Sequence, residues 1–127
     1  MAGVIRLDTH VVVWLYTGET ERFSETAVEG LETHDLVISP MVQLELTYLH
    51  EIGRLTVSGA EIVGDLVERV GLRLSDASLA AVVHAAASLT WTRDPFDRLI
   101  VADALVAATD LLTKDSVILD HVPIAHW

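Results

Sequence analysis

The stretch VIRLDTHVVVWLY, residues 4–16, decides how this chain folds. It opens with a mainly apolar run of strand length, Val4–Leu7, and reaches a single acid, Asp8. Apolar residues at helical spacing then continue until Gly18 breaks the pattern. We therefore predict a strand followed by a helix, with Asp8 at the junction.

The alternation of strand and helix patterns continues along the rest of the chain. A clear helix start is the pair Ser39-Pro40, a capping serine with proline at the first helical position, and Asp94-Pro95 begins a second helix in the same way. Asp76 is predicted to cap a further helix. Predicted strands cover residues 4–7, 36–38, 72–74, 111–113 and 122–127, and predicted helices cover 11–16, 24–33, 40–52, 58–70, 76–88, 94–109 and 116–119.

This order predicts an α/β fold with one domain over residues 1–127. Its central, mostly parallel five-stranded sheet would carry helices on both faces. The last strand, which contains Pro123, is predicted to lie at a sheet edge. In open sheets of this kind, ligands bind beyond the carboxyl ends of the strands, so acids at those ends are the first candidates for a site.

The composition and the missing motifs exclude several classes of protein. Of the 127 residues 51% are hydrophobic, yet the longest apolar run is too short for a membrane-spanning helix. The chain has no cysteine and no signal-peptide pattern, so we expect a cytoplasmic protein without disulfides. Motifs of nucleotide triphosphatases, zinc proteases, serine hydrolases and dinucleotide enzymes are missing. The net charge of −11 opposes nonspecific attraction to phosphate backbones.

Two acids in the first half of the chain are candidate site residues. Asp8 ends the first strand, although it also suits the role of N-cap for the helix that follows. Glu45 lies inside the apolar stripe of its helix, because the residues three and four positions away on both sides are apolar or aromatic. Since burial of an unpaired ionised carboxylate is costly, Glu45 should be protonated, bind a metal or pair with a buried arginine such as Arg6.

Two further candidates lie in the second half. Asp97 is in the first turn of the helix opened by Asp94, where an acid also interacts favourably with free amides and the helix dipole. Asp115 follows the strand at 111–113 and is also a candidate N-cap for the segment at 116–119. Asp103 lies about 120° around the helix from Asp97, so we select Asp97 and hold Asp103 in reserve.

Together these acids point to a metal site. Carboxylates packed at one sheet edge repel each other, and a hard divalent cation with a preference for oxygen relieves that repulsion. Such a cluster can activate a water molecule and stabilise the oxygens of a phosphodiester during hydrolysis. Metal-assisted phosphodiester hydrolysis is the chemistry that these residues predict.

Four short motifs resemble those of the PIN-domain family, and most closely those of its VapC-type toxins. The most specific of them is DPFDR. The resemblance extends from the first strand to Val122 and rests on LDTH at 7–10, EL at 45–46 leading to GRL at 53–55, DPFDR at 94–98 and LTKD at 112–115.

The resemblance implies a Mg²⁺- or Mn²⁺-dependent endoribonuclease that is the toxin of a toxin–antitoxin pair. Its metal-binding and water-activating acids would be Asp8, Glu45, Asp97 and Asp115. Thr113 would support the site by hydrogen bonding, and Asp94 would be a cap or an outer contact. The implied partners are an RNA substrate and a cognate antitoxin, with homodimers and toxin–antitoxin hetero-oligomers as the assemblies.

RNA binding by so acidic a chain requires basic side chains at the cleft, and aromatic side chains can stack on bases. The basic candidates are Arg93, Arg98 and Lys114, joined by Arg6 and Arg54. The aromatic candidates are Trp14, Tyr16 and Tyr48, for which packing in the core or at an interface is the alternative.

Two other functions stay open on sequence grounds. Receiver-like phosphoacceptor modules are also acidic, of this length, and bind Mg²⁺ through acids at strand ends. They require an acceptor aspartate at the end of the third strand, where this chain has Asp76, and paired acids after the first strand, which it lacks. The second alternative is a PIN-like domain that binds without cleaving.

Overall fold

A five-stranded parallel sheet forms the centre of the structure, a computed structural model that describes residues 3–127. The strand order is β3-β2-β1-β4-β5. The strands are β1 (Val4–Leu7), β2 (Asp35–Ile38), β3 (Arg73–Leu74), β4 (Asp110–Leu112) and β5 (Ala125–His126). Over the described residues the α-helices are α1 (Thr9–Thr17), α2 (Glu25–Thr33), α3 (Pro40–Glu51), α4 (Gly59–Val70), α5 (Leu79–Ala86), α6 (Pro95–Ala107) and α7 (Ser116–His121), and a 3₁₀ turn covers Thr20–Arg22.

Helices cover both faces of the sheet, as predicted. Ile5 and Arg6 are neighbours in β1, so their side chains point to opposite faces. A methyl group on Gly30 in α2 would lie 3.5 Å from the Ile5 Cδ1, whereas Arg6 forms an ion pair with Asp103 in α6. The α/β class is therefore confirmed, and every neighbouring strand pair in the sheet is parallel.

The strand order reverses beside β1. The chain proceeds from β1 outward to β3 and then returns to β4 on the other side of β1. Leu7 is in register with Leu112, so β1 and β4 end side by side. Ligands of open α/β sheets bind at such a reversal, beyond the carboxyl ends of the strands. The polar residues that emerge there are Asp8 after β1 and Thr113 after β4.

The start of α5 differs from the prediction. Asp76 was expected to cap this helix, but α5 begins at Leu79 with Ser78 as its N-cap. The hydroxyl of Ser75 accepts a hydrogen bond from the Ala77 N–H over 3.2 Å, which stabilises a turn in front of the helix. Helix formation therefore starts three residues later than Asp76 suggested.

The last strand is shorter than predicted. Residues 122–127 were expected to pair throughout, but only Ala125–His126 do so. Helix α7 runs on to His121, and the Ala125 N–H donates to the Val122 carbonyl over 3.0 Å in a turn that contains Pro123. The Ala125 N–H is thus used by the turn, and pairing with β4 begins only at the Ile124 carbonyl, which accepts from the Leu111 N–H over 3.0 Å. The predicted edge position is confirmed.

Within residues 3–127, none of the helices is both long and apolar enough to cross a membrane.

Candidate metal and nuclease site

Asp8 lies at the end of β1, where the strand order reverses. One of its oxygens, Oδ1, accepts a hydrogen bond from the Thr9 backbone N–H over 2.8 Å, so Asp8 does cap α1. The other, Oδ2, accepts from the Thr113 hydroxyl over 2.6 Å. Burial raises the pKa of the Asp8 carboxyl, and these two hydrogen bonds oppose that rise. Each oxygen keeps a further lone pair, so the capping role leaves Asp8 able to bind a cation.

Helix α3 brings Glu45 to the same edge of the sheet. Its Oε1 accepts a hydrogen bond from the Thr9 hydroxyl over 2.5 Å. Burial raises the pKa of the Glu45 carboxyl, and the negative charges of Asp8 and Asp94 raise it further. The alternative of an ion pair with Arg6 is wrong, because Arg6 lies elsewhere and Glu45 is held by a hydroxyl.

Asp97 faces these carboxylates from the first turn of α6. The Asp94 side chain caps this helix by accepting from the N–H groups of Phe96 at 2.8 Å and Asp97 at 3.2 Å. Burial is the largest cause that raises the pKa of the Asp97 carboxyl to about 7. Four neighbouring negative charges contribute to the same rise, those of Asp94, Asp8, Asp115 and Glu45. No hydrogen-bond donor in the described part of the chain reaches the Asp97 carboxylate.

Asp115 follows β4 and caps α7. Its Oδ1 accepts from the N–H groups of Val117 and Ile118 at 2.9 and 3.2 Å. Its own N–H donates to the Thr113 hydroxyl over 3.1 Å. Because Thr113 is fully buried and also donates to Asp8, a single hydroxyl connects the ends of β1 and β4.

These side chains form one group, the acidic cluster: Asp8, Glu45, Asp94, Asp97 and Asp115. They offer only hard oxygen donors, which Mg²⁺ and Mn²⁺ prefer. Over residues 3–127 no three side chains are gathered into a ready-made metal cage. Mg²⁺ does not require one, since one or two carboxylates and several waters commonly hold it. The half-buried Asp97 carboxylate, with no donor and four negative neighbours, is costly to ionise without a cation. The donor set therefore fits a hard divalent ion.

Asp103, the residue held in reserve, lies outside the acidic cluster. Its Oδ2 accepts from the Arg6 Nε over 2.6 Å, and its Oδ1 accepts from the Ser75 hydroxyl over 2.8 Å. The Arg6 Nη1 donates to the Thr109 hydroxyl over 2.7 Å. Arg6 is therefore a buried, paired residue on the opposite side of β1 from Ile5, and its expected place at the cleft is wrong.

The other predicted basic residues are dispersed. Lys114 lies next to Asp115 at the edge of the acidic cluster. Arg98 donates from Nε to the Thr92 carbonyl over 2.8 Å and borders a groove between α5 and α6. Arg93 and Arg54 are exposed. Lys114 lines a cavity together with Asp115, whereas Arg93 and Arg98 adjoin Asp94 and Asp97 in the sequence.

Two residues of the site were missed in the sequence. Thr9 holds Glu45, and His10 is close enough to Asp8 and Glu45 to lower the pKa of both carboxyl groups. Thr9 and His10 directly follow Asp8 in the first turn of α1, and this position was the sequence signal that could have identified them. The contact between Thr9 and Glu45 joins residues 36 positions apart and has no local signature.

The receiver alternative is excluded by the sheet. Receiver domains share the flavodoxin-like strand order 2-1-3-4-5, in which the third strand is central. Here β3 is an edge strand, and Asp76 beyond it is exposed, away from the reversal beside β1. The acid that such a module would phosphorylate is therefore far from the acidic cluster in the sheet.

Comparisons with known proteins bear on both the family and the fold. The family profile described as "PIN domain" matches residues 5–124. Over 132 aligned residues the chain is 30% identical to "Ribonuclease VapC22" of Mycobacterium tuberculosis, an alignment that covers 97% of this chain and 98% of that protein. A crystal structure of VapBC2 from Rickettsia felis, bound to a fragment of promoter DNA, superposes with a TM-score of 0.69 at 17% identity. It covers 96% of this chain and 95% of the matched chain, so the fold is shared over almost the whole length.

Proposed function

This chain belongs to the PIN-domain family as a VapC-type ribonuclease, and from that premise we propose that it hydrolyses RNA with a Mg²⁺ or Mn²⁺ ion held by the acidic cluster. Asp8, Glu45, Asp97 and Asp115 are the proposed ligands and catalytic residues. The PIN-domain profile and the 30% identity to a VapC ribonuclease confirm the family resemblance noted from the four motifs.

One observation supports the metal-dependent chemistry above the others. The carboxylate of Asp97 is half-buried, receives no hydrogen bond within residues 3–127, and has four other carboxylates as electrostatic neighbours. Such an arrangement does not stabilise the protein, since each ionised carboxylate makes ionisation of the neighbouring carboxylates less favourable. When bound, a divalent cation supplies charge neutralisation, polarises a phosphodiester oxygen and eases deprotonation of an attacking water.

The remaining side chains hold the ligands in place. Thr113 fixes Asp8 through Oδ2, and Thr9 fixes Glu45 through Oε1. Asp94 accepts the first free N–H groups of α6 and so sets the position of Asp97. Thr113, Thr9 and Asp94 are short, hydrogen-bonded side chains at the ends of strands or helices. They therefore position the proposed ligands before the substrate binds.

The test is cleavage of a pool of structured RNA by antitoxin-free protein with Mg²⁺ or Mn²⁺. We expect cleavage that is lost in EDTA and in Asp97→Asn. Asp76→Asn is the matched control, because Asp76 is exposed, lies at the other side of the sheet, and loses the same single charge. Cleavage that persists in Asp97→Asn would overturn the role of Asp97 as a ligand. A folded protein that neither cleaves RNA nor binds the metal would support a binding-only domain instead.

We also propose a cognate antitoxin as the partner. The similar structure is of a VapBC pair, and this chain exposes apolar residues at four-residue spacing along α3 and at its C-cap, namely Leu44, Tyr48 and Ile52. Exposed apolar surface of this kind is typical of a partner-binding face. Co-expression with a candidate antitoxin should yield a complex on size exclusion with light scattering. The same measurement tests the proposed homodimer and hetero-oligomer.

A further inference from the structure

A separate cavity opens beside the acidic cluster. It has a volume of about 300 Å³ and is lined by His10, Trp14, Lys114 and Asp115. His10 and Trp14 are one turn apart on α1, while Lys114 and Asp115 belong to the segment between β4 and α7. Asp115 borders both the cavity and the cluster, so whatever enters this space, here called the aromatic cavity, lies next to the proposed metal site.

The aromatic wall of this cavity is braced from behind. Trp14 packs edge-on against Trp127, with ring centroids 5.9 Å apart and planes at 71°, and against Phe23 at 6.4 Å and 65°. On the cavity side, the His10 ring lies 6.0 Å from Trp14 at 36°. His10 is exposed and Trp14 half-buried. A rigid indole with an accessible imidazole beside it presents flat apolar surface to a planar ligand.

The cavity also holds a cation that is rare in this chain. Lys114 is the single lysine in a sequence with a net charge of −11. Its Nζ lies 6.0 Å from the Trp14 ring centroid and 5.9 Å from that of Trp127. Over residues 3–127 it forms no ion pair within 4.0 Å, whereas Arg22, on the same indole at 5.1 Å, is paired with Glu19 at 3.0 Å. Lys114 therefore keeps its charge available for an anionic group.

We propose that the aromatic cavity binds one nucleotide of a single-stranded RNA, adjacent to the phosphodiester at the acidic cluster. The base would lie against His10 and Trp14, and a phosphate would contact the Lys114 ammonium. This inference rests on the proposed function, because it assigns a place to the nucleotide next to the bond that is cleaved.

Three features favour a nucleotide over other occupants. Flat aromatic surfaces stack on bases of any sequence, and a nearby cation contacts the backbone, which is the usual combination for single strands. A cavity of about 300 Å³ is at the small end of ligand pockets and accommodates one nucleotide. Finally, RNA approaching five carboxylates needs a local positive charge, and Lys114 supplies one inside this cavity, next to Asp115.

The experiment measures binding in EDTA, where no cleavage occurs. Full-length protein labelled with ¹⁵N is titrated with hexauridylate, and NMR follows the Lys114 side-chain amine together with the indole N–H signals. We expect shifts at Lys114 and Trp14, and about tenfold weaker binding in both His10→Ala and Lys114→Gln. His84→Ala and Arg73→Gln are the matched controls, since both residues are exposed and lie on α5 and β3. They should bind as the wild type does.

The outcomes separate this proposal from the nuclease assignment. Binding that is weakened by the two cavity variants alone supports the nucleotide site even if the protein cleaves no RNA. Metal-dependent cleavage with unchanged binding and KM in both cavity variants overturns the site and leaves the nuclease intact. Equal affinity for an abasic hexamer would overturn the stacking, and weaker antitoxin binding without any loss of RNA binding would identify the cavity as a protein contact instead.

Discussion

The Thr113 hydroxyl donates to Asp8 Oδ2 over 2.6 Å and thereby joins the ends of β4 and β1, 105 residues apart in sequence. The same hydroxyl accepts the N–H of Asp115 over 3.1 Å. Both contacts are at the point where the strand order reverses. The geometry of two acidic side chains therefore depends on one buried oxygen.

Replacing Thr113 with valine should weaken the fold and the site together. Thr113→Val keeps the shape but leaves the buried Asp8 carboxylate with one donor fewer and the Asp115 N–H unpaired. We expect the free energy of unfolding at neutral pH to fall by about 1–3 kcal/mol, measured by urea denaturation. Thr113→Ser retains the hydroxyl and should lose less. A larger loss in Thr113→Ser than in Thr113→Val would show that packing of the methyl group matters more than the hydrogen bonds.

The pKa of Asp97 predicts how stability varies with pH. This pKa is raised from 3.8 to about 7 on folding, so between these values the folded state binds the additional proton. The contribution of Asp97 to stability is therefore undiminished below pH 3.8 and is lost progressively as the pH rises to about 7. In metal-free protein, Asp97→Asn should consequently be more stable than the wild type at pH 7.5 and no more stable at pH 4.

Exposure to solvent limits the expected difference in stability between Asp97→Asn and the wild type. Because Asp97 is only half-buried, screening by water reduces the expected gain at pH 7.5 to about 1–2 kcal/mol. Urea denaturation of both proteins in EDTA from pH 4 to pH 8 measures it, and groups common to both proteins cancel in the comparison. A difference that stays constant across this range would mean that charge crowding at Asp97 is absent.

The buried ion pair of Arg6 and Asp103 should matter for stability and not for catalysis. The two side chains are 9% and 3% exposed, and hydroxyls of Ser75 and Thr109 complete the hydrogen bonding of Arg6. Asp103→Ala leaves an unpaired buried guanidinium and should cost about 3–5 kcal/mol, whereas Arg6→Met with Asp103→Leu should recover much of that loss. Thermal denaturation compares them. RNA cleavage per folded molecule should be unchanged, and its loss in the stable double variant would place Asp103 in the site.

Local signals in the sequence predicted much of this structure. Ser39-Pro40 and Asp94-Pro95 begin helices because a capping side chain and a proline act within one turn, whatever the rest of the chain does. The place of Asp8 and Asp115 at strand ends follows from the same short-range patterns. Asp8 and Asp115 could be assigned to one site because the carboxyl ends of parallel strands lie at the same edge of the sheet.

Long-range contacts explain what the sequence did not reveal. Asp76 was expected to cap α5, but Ser75 forms hydrogen bonds with Arg6 and Asp103 and fixes the turn before that helix. Glu45 suggested a buried arginine partner, and Arg6 was available, yet Arg6 pairs with a residue 97 positions away. One sequence contains no sign of which distant side chains meet. The periodicity that identifies a buried acid does not identify its partner.

Addition of Mg²⁺ should stabilise the wild type through the acidic cluster. A ligand that binds only the folded state at 100 times its Kd adds about 2.7 kcal/mol, so the Tm should rise by several degrees. Asp97→Asn removes a proposed ligand together with part of the repulsion that the cation relieves, and its Tm should respond much less. Asp76→Asn should respond as the wild type does, and NaCl of equal ionic strength should have little effect. An undiminished Mg²⁺ response in Asp97→Asn would place the ion elsewhere on the protein.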